Sequence, residues 1–212
     1  MYISVDSYRE MYLLGKDFKT VNEEIEKIRR EIAKTKKKLE SPANLYDLRT
    51  RLTEGVAIEV YKGYLSAAMD YLSDITDSRA ELTEEEKASL IFDSTVDDIC
   101  CVTLTAGRYL QDKYELTFEE GTAQICEIHL GEDSVCRAVD PLASREAIRS
   151  LHLGEWRESY TPAQYGCTLN EPTRWQIRVD YKNGSAPRFF DGTGVFPYNF
   201  YTLVRLFGAD IS

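Results

Sequence analysis

Five cysteines and two histidines carry the strongest chemistry available to this chain, and their spacing limits what they can do. Cys126 and His129 stand three apart, Cys136 follows, and His152 and Cys167 lie further on. A zinc centre needs four such ligands converging on a tetrahedron, ordinarily from paired knuckles. Alternating apolar residues make the segment around Cys126 a strand, on which Cys126 and His129 point to opposite faces. The adjacent Cys100 and Cys101 split in the same way. No metal set and no cofactor are therefore assigned. The competing chemistry is a thiol hydrolase or transferase, with Cys126, Cys136 or Cys167 set against His129 or His152. Glu127 shares the exposed face with His129 and supplies a carboxylate for such a base. No cysteine sits at a helix start or among cations that would lower its pKa, so no catalytic residue is assigned.

Two other patterns are weaker. Asp191-Gly192-Thr193-Gly194 stands between a strand and a helix, where glycine loops cradle phosphates. It lacks the third glycine of a dinucleotide fingerprint and the Lys-Ser/Thr of a P-loop, and reads as a tight turn. The pairs Glu119-Glu120 and Glu132-Asp133 flank turns, and Asp97-Asp98 precedes a strand. None has the setting of an acid/base pair.

The elements around these residues follow from period. Met11, Leu14, Phe18, Val21, Ile25, Ile28, Ile32 and Leu39 keep a 3-4 spacing broken only by Thr35, which predicts one helix from about Ser7 to Glu40. Ser41-Pro42 stops it and starts another. That second helix runs through Leu45, Leu48 and Leu52, slips phase at Gly55-Val56, and resumes as Ile58, Tyr61, Leu65, Ala68, Leu72 and Ile75. The slip predicts an irregularity, or the close approach of another element. Two helices of about 50 Å each, at 1.5 Å per residue, joined by so short a connection pair antiparallel. Thr83 and Glu86 have capping-box spacing, so a short helix through Phe92 follows.

After Asp98 the period becomes two. Val102-Leu104-Ala106, Tyr114-Leu116-Phe118 and Cys126-Ile128-Leu130 each describe a strand with one buried face, joined by turns at Gly121 and Gly131-Glu132-Asp133. Asp140-Pro141 opens a helix that Gly154 closes. Trp175-Ile177-Val179-Tyr181 is a strand, Asn183-Gly184 a hairpin signal, and Arg188-Phe189-Phe190 its return. Pro197 begins a last helix that Gly208 ends. The fold class is α+β: a long antiparallel helical hairpin (residues 1–80), an acidic linker with a short helix (81–98), and an antiparallel-sheet domain with two helices (99–212). A cut near residue 80 is expected to leave the C-terminal domain folded.

Charge narrows the function. The net charge of −10 argues against direct nucleic-acid binding, which needs a basic surface. Residues 54–98 hold twelve acidic against three basic residues, whereas residues 16–40 hold nine basic against six acidic. The two helices are thus electrically unlike, which favours their pairing and leaves an acidic strip: Glu54, Glu59, Asp70, Asp74, Asp77, Glu81, Glu84 and Glu85. The N-terminus has no signal-peptide pattern, and no stretch approaches the roughly 18 apolar residues of a membrane span. An odd number of cysteines, two adjacent, fits reduced thiols in the cytoplasm rather than a disulfide framework. Tyr160, Tyr165, Phe196, Tyr198, Phe200 and Tyr201, with Arg157, Arg174 and Arg188, have the composition of a binding hot spot. Tyr160 and Tyr165 are the candidate anchors, Phe200 a packing residue.

These patterns point to a non-enzymatic, acidic cytoplasmic protein that binds a protein partner with a basic surface. One specific form is a phage or mobile-element inhibitor of a nucleic-acid-handling defence enzyme, anti-CRISPR-like in action. Besides the thiol enzyme, the alternative is a self-assembling module that dimerises through its hairpin.

Overall fold

The computed structural model describes residues 2–44, 48–76, 80–129 and 133–209, without the side chains of 48 and 49. Leu45, the side chain of Leu48, Asp77, Leu130 and the Gly131-Glu132 turn lie outside the described residues. The chain divides into two compact units, Met1–Leu82 and Thr83–Ser212.

In the first unit the predicted N-terminal helix is interrupted. Helix α1 spans Val5–Tyr8, capped by Ser4, and continues as one π-helical stretch, Arg9–Leu13, closed by the Leu14 N–H donating to the Arg9 carbonyl at 2.9 Å. Gly15 then turns the chain at φ +73°, a conformation glycine adopts without steric cost. Asp17 starts afresh by accepting the Thr20 N–H at 3.0 Å, and α2 runs Phe18–Glu40. The break reassigns the stripe. Met11, Leu14 and Phe18 are exposed, while Tyr8 and Leu13 are buried in their place. From Val21 onward the stripe is buried: Val21, Ile25, Ile28, Ile32 and Leu39. The buried Thr35 keeps its place by donating its hydroxyl to the Glu31 carbonyl at 2.8 Å.

Helix α3 (Leu48–Thr76) packs antiparallel on α2. A Lys38–Glu54 ion pair marks one end, and the Gly15 N–H donating to the Tyr71 hydroxyl (2.9 Å) marks the other. Ala57, Ile58, Tyr64, Ala68, Tyr71 and Leu72 form its buried side; Leu52, Val56 and Ile75 are exposed. The irregularity predicted at Gly55 is absent, because the helix runs through it and a Cβ there would meet nothing within 4 Å. The close approach occurs at Gly63 instead, where a Cβ would come within 3.2 Å of the Val5 side chain.

The second unit begins with α4 (Glu84–Thr95), carrying the complete Thr83–Glu86 capping box. This part of the predicted linker is packed structure. Phe92 is fully buried, and Gly154 lies so close to α4 that a Cβ would sit 2.2 Å from the Ala88 carbonyl oxygen. A seven-stranded sheet follows, in the order β4-β3-β2-β1-β6-β7-β5. Its strands are β1 Ile99–Gly107, β2 Asp112–Glu119, β3 Thr122–Ile128, β4 Val135–Val139, β5 Ser159–Tyr160, β6 Arg174–Tyr181 and β7 Arg188–Thr193. All pairings are antiparallel except β5 with β7.

The buried face carries Val102, Leu104, Tyr114, Leu116, Trp175, Ile177 and Val179, as alternation requires. In β3 the phase is opposite to the prediction. Ala123 and Ile125 point inward and Cys126 does not, since a one-residue shift exchanges the two faces. Cys126 is register partner to Cys136 on β4, and the two form a disulfide, which overturns the reading of five reduced thiols.

Helix α5 (Pro141–Ser150) starts on Asp140, which accepts the Ala143 N–H at 2.7 Å. It ends at a left-handed His152 (φ +47°) rather than at Gly154. The β6–β7 connection spans 182–187, longer than a two-residue turn, although Gly184 (φ +80°) and the Asn183 side chain shape it. Helix α6 begins at Phe200, not Pro197, and ends at Gly208 (φ +69°). Arg137 donates to the Leu206 and Phe207 carbonyls at 3.2 Å each, satisfying the end of α6. No described helix is long and apolar enough to cross a membrane.

Candidate functional site

An open recess of about 310 Å³ lies in the helical unit, walled by tyrosines from α1, the π-helical stretch and α3. Tyr8 stacks between two rings: on Tyr64 at 4.0 Å with 8° between planes, and on Tyr12 at 5.1 Å with 22°. Tyr64 is held by Ile3, donating to its carbonyl at 2.7 Å and accepting its N–H at 3.1 Å. Tyr2 meets Tyr61 edge-on at 5.9 Å. Helix α2 contributes Glu24, Lys27 and Glu31, which its 3.6-residue turn places along one side.

The charges are coupled to the rings. Tyr8 donates its phenolic hydrogen to Glu24 Oε1 at 2.7 Å, and Lys27 Nζ lies 3.1 Å from both Glu24 oxygens. The same ammonium stands 5.9 Å from the Tyr12 ring centre. Burial, reinforced by the hydrogen bond to Glu24, pushes the Tyr8 phenol far above its ordinary pKa. Burial also raises Tyr61, with Tyr2 and Glu31 adding to the effect. The recess has aromatic walls, two carboxylates and an ammonium, and among its lining residues no thiol or imidazole.

Among the described acidic residues singled out by sequence, Glu54 lies on a different side of α3 from Glu59, Asp70 and Asp74, and Glu84 and Glu85 belong to the second unit. Glu54 is engaged by Lys38 against α2. Glu59, Asp70 and Asp74 are exposed and, at ~100° per residue, fall within about 60° of one another on α3. Asp74 also accepts from Arg9 at 3.3 Å. Glu81 is exposed, and its backbone carbonyl receives Arg29 at 2.8 Å. Glu84 and Glu85 belong to the second unit, in the first turn of α4 where the helix dipole favours anions, and Glu84 pairs with Lys87 at 2.7 Å.

Tyr160 is not an exposed anchor. It is 1% exposed, its ring lies 4.5 Å from the Arg157 guanidinium, and its hydroxyl accepts the Arg157 N–H at 3.1 Å. Tyr165 is half-buried and accepts from the same guanidinium at 2.9 Å. Phe196 and Phe200 are buried because they pack with Trp156 and Trp175 into one aromatic core, and Tyr198 is buried with its hydroxyl donating to Glu155 at 3.0 Å. That core fits closely: a Cβ on Gly192 would meet the Trp175 ring at 2.4 Å.

The disulfide removes Cys126 and Cys136 as thiol nucleophiles. Cys167 Sγ donates to the Pro162 carbonyl at 3.5 Å, and burial pushes the Cys101 thiol up, partly offset by Thr103. His129 lies 3.2 Å from Glu127, and His152 3.9 Å from Asp93. Among the described residues no group of three or more His, Cys, Asp or Glu could hold a metal ion.

Sequence reasoning missed the recess. A signal for it existed in the tyrosine spacing, 8 with 12 and 61 with 64, opposite Glu24, Lys27 and Glu31 at helical intervals. No family model, curated protein or solved structure matches this chain.

Proposed function

We propose that this chain is a binding protein whose helical unit engages a basic protein partner, without catalysing a reaction. The observation that carries the reading is the open tyrosine recess with its two carboxylates, a surface suited to contact. The exposed group Glu59, Asp70 and Asp74 on α3 supports it by supplying negative charge for steering. In its most specific form the protein is an inhibitor that occupies the basic groove of a nucleic-acid-handling defence enzyme.

The test is capture of the partner from extracts of source cells by the full chain, compared with the Glu59→Lys/Asp70→Lys variant. The expected partner elutes as salt rises over the range where charge contacts are screened, is competed by nucleic acid, and is absent from the variant's eluate. A captured set indifferent to both salt and charge reversal overturns the reading.

The compartment is a separate proposal. Cytoplasmic action fits the free Cys100, Cys101 and Cys167, whereas a Cys126–Cys136 bridge suits an oxidising environment. Three reactive thiols on freshly isolated, denatured protein are expected from the bridge; five would show that it is reduced in the cell, as cytoplasmic action requires.

Self-association is a second reading, favoured by Leu52 (66% exposed) and Val56 (58% exposed), one turn apart on the same side of α3. Sedimentation of wild type against Leu52→Glu/Val56→Glu distinguishes a dimer that dissociates from a monomer unaffected by the change.

A further inference from the structure

We infer that the tyrosine recess is a site for an organic cation, an alkylammonium or guanidinium head group, and that Lys27 is its built-in competitor. Three observations converge on this. The rings of Tyr2, Tyr12 and Tyr61 form the accessible part of the wall, Tyr8 being stacked on both faces, and a tyrosine face carries negative quadrupole charge that attracts cations within about 6 Å. The lining carboxylates, Glu24 and Glu31, outnumber the lining ammonium, Lys27, and among the described residues Glu31 is met from outside the lining only by an exposed ion pair with Lys34 at 3.7 Å, worth little in water. That ammonium already behaves as a tethered guest, 5.9 Å from the Tyr12 ring centre and 3.1 Å from both oxygens of Glu24.

Other guests fit less well. An anion would have only Lys27 to meet it, and Glu24 neutralises that charge. A wholly apolar guest would strip water from the Glu31 carboxylate, which is 42% exposed, without supplying a hydrogen bond in its place. A cation replaces what Lys27 loses: it takes over the ring and the Glu24 carboxylate while the lysine swings into water. Lys27 is well placed to yield, its side chain being 58% exposed.

Two sources share this chemistry, a free small cation and a basic side chain of a protein partner. Only the second rests on the function proposed above.

The experiment is a titration of the full chain, followed by aromatic proton–carbon NMR of its tyrosines. The probes are tetramethylammonium chloride, N-acetyl-lysine amide and N-acetyl-arginine amide, with sodium chloride at matched ionic strength. Saturable shifts at Tyr2, Tyr12 and Tyr61 are expected, with dissociation constants of about 1–10 mM for so small a contact. Lys27→Met should tighten binding about threefold to tenfold, and Tyr12→Leu should weaken it by a similar factor. Tyr12 is 43% exposed, so neither change empties a core, and the helical circular dichroism should be retained.

A ring that only braces the helices would leave the Lys27→Met affinity unchanged. That result, or shifts no larger than those in sodium chloride, overturns the inference. Binding of tetramethylammonium as well as the amides assigns a free cation as sufficient guest, and binding of the amides alone assigns a partner's side chain. Because Glu59 and Asp70 do not line the recess, their charge reversal tests the partner separately. Loss of partner capture with intact recess shifts, or the converse, separates the two proposals.

Discussion

Each unit holds a cluster of aromatic residues, and the two clusters have opposite fates. In the second unit Trp156, Trp175, Phe190, Phe196 and Phe200 are sealed, and the polar handle of each tryptophan is satisfied inside. Trp175 Nε1 donates to the Val195 carbonyl at 2.8 Å and Trp156 Nε1 to Asn199 Oδ1 at 2.9 Å. In the first unit Tyr8 and Tyr64 are buried, yet Tyr2 and Tyr12 reach water beside Glu24, Lys27 and Glu31. Aromatic composition therefore does not identify a binding surface. Exposure and charged company do, since a ring already surrounded by rings has no face left for a partner.

The largest expected effect tests the sealed cluster. Trp175→Ala should cost about 3–5 kcal/mol, read by urea unfolding of the second unit, while the tyrosine resonances of the first unit stay in place. Movement of both together would break the comparison. Opening the Cys126–Cys136 bridge by reductant comes next. The two residues are ten apart, and chain-entropy reasoning gives a loss of about 2–3 kcal/mol, again confined to the second unit. Thr83→Ala, which removes half of the α4 capping box, should cost about 1 kcal/mol in a thermal melt.

In the open cluster Tyr12→Leu should cost less than about 1 kcal/mol, because its ring is partly in water and its stacking on Tyr8 is the main loss. A cost like that of Trp175→Ala would show that the recess is core in disguise. The smallest effect is confined to alkaline pH. The native Tyr8 phenol holds its proton above the ordinary value of 10.0, so the unfolded chain ionises first. The stability this proton retention accompanies is full below pH 10.0 and declines as pH rises beyond it. Tyr8→Phe should flatten that decline without altering the pH dependence near neutrality.

Much of the architecture was legible because its signals are local. The change from a 3-4 to a two-residue period at Asp98, the Thr83–Glu86 box, the Asp140-Pro141 start and the Gly208 stop each depend on residues within about one turn. The break at Gly15 was local too, glycine followed by an Asp cap, but the apolar spacing ran across it and concealed it. Strand β4 carried no period because both its faces are largely exposed.

By itself the sequence determined the α+β class, the antiparallel pairing of α2 and α3, and the acidic net charge. Tertiary structure alone decided the inward phase of β3, the joining of Cys126 to Cys136, and which aromatics are closed in. The physical reason is range. A cap or a period is set by neighbours a few bonds away, whereas Tyr160 is buried by Trp175 and Tyr8 is stacked by Tyr64 from distant parts of the chain. Whether a ring faces water is a property of everything packed around it, so it appears only when the chain has closed.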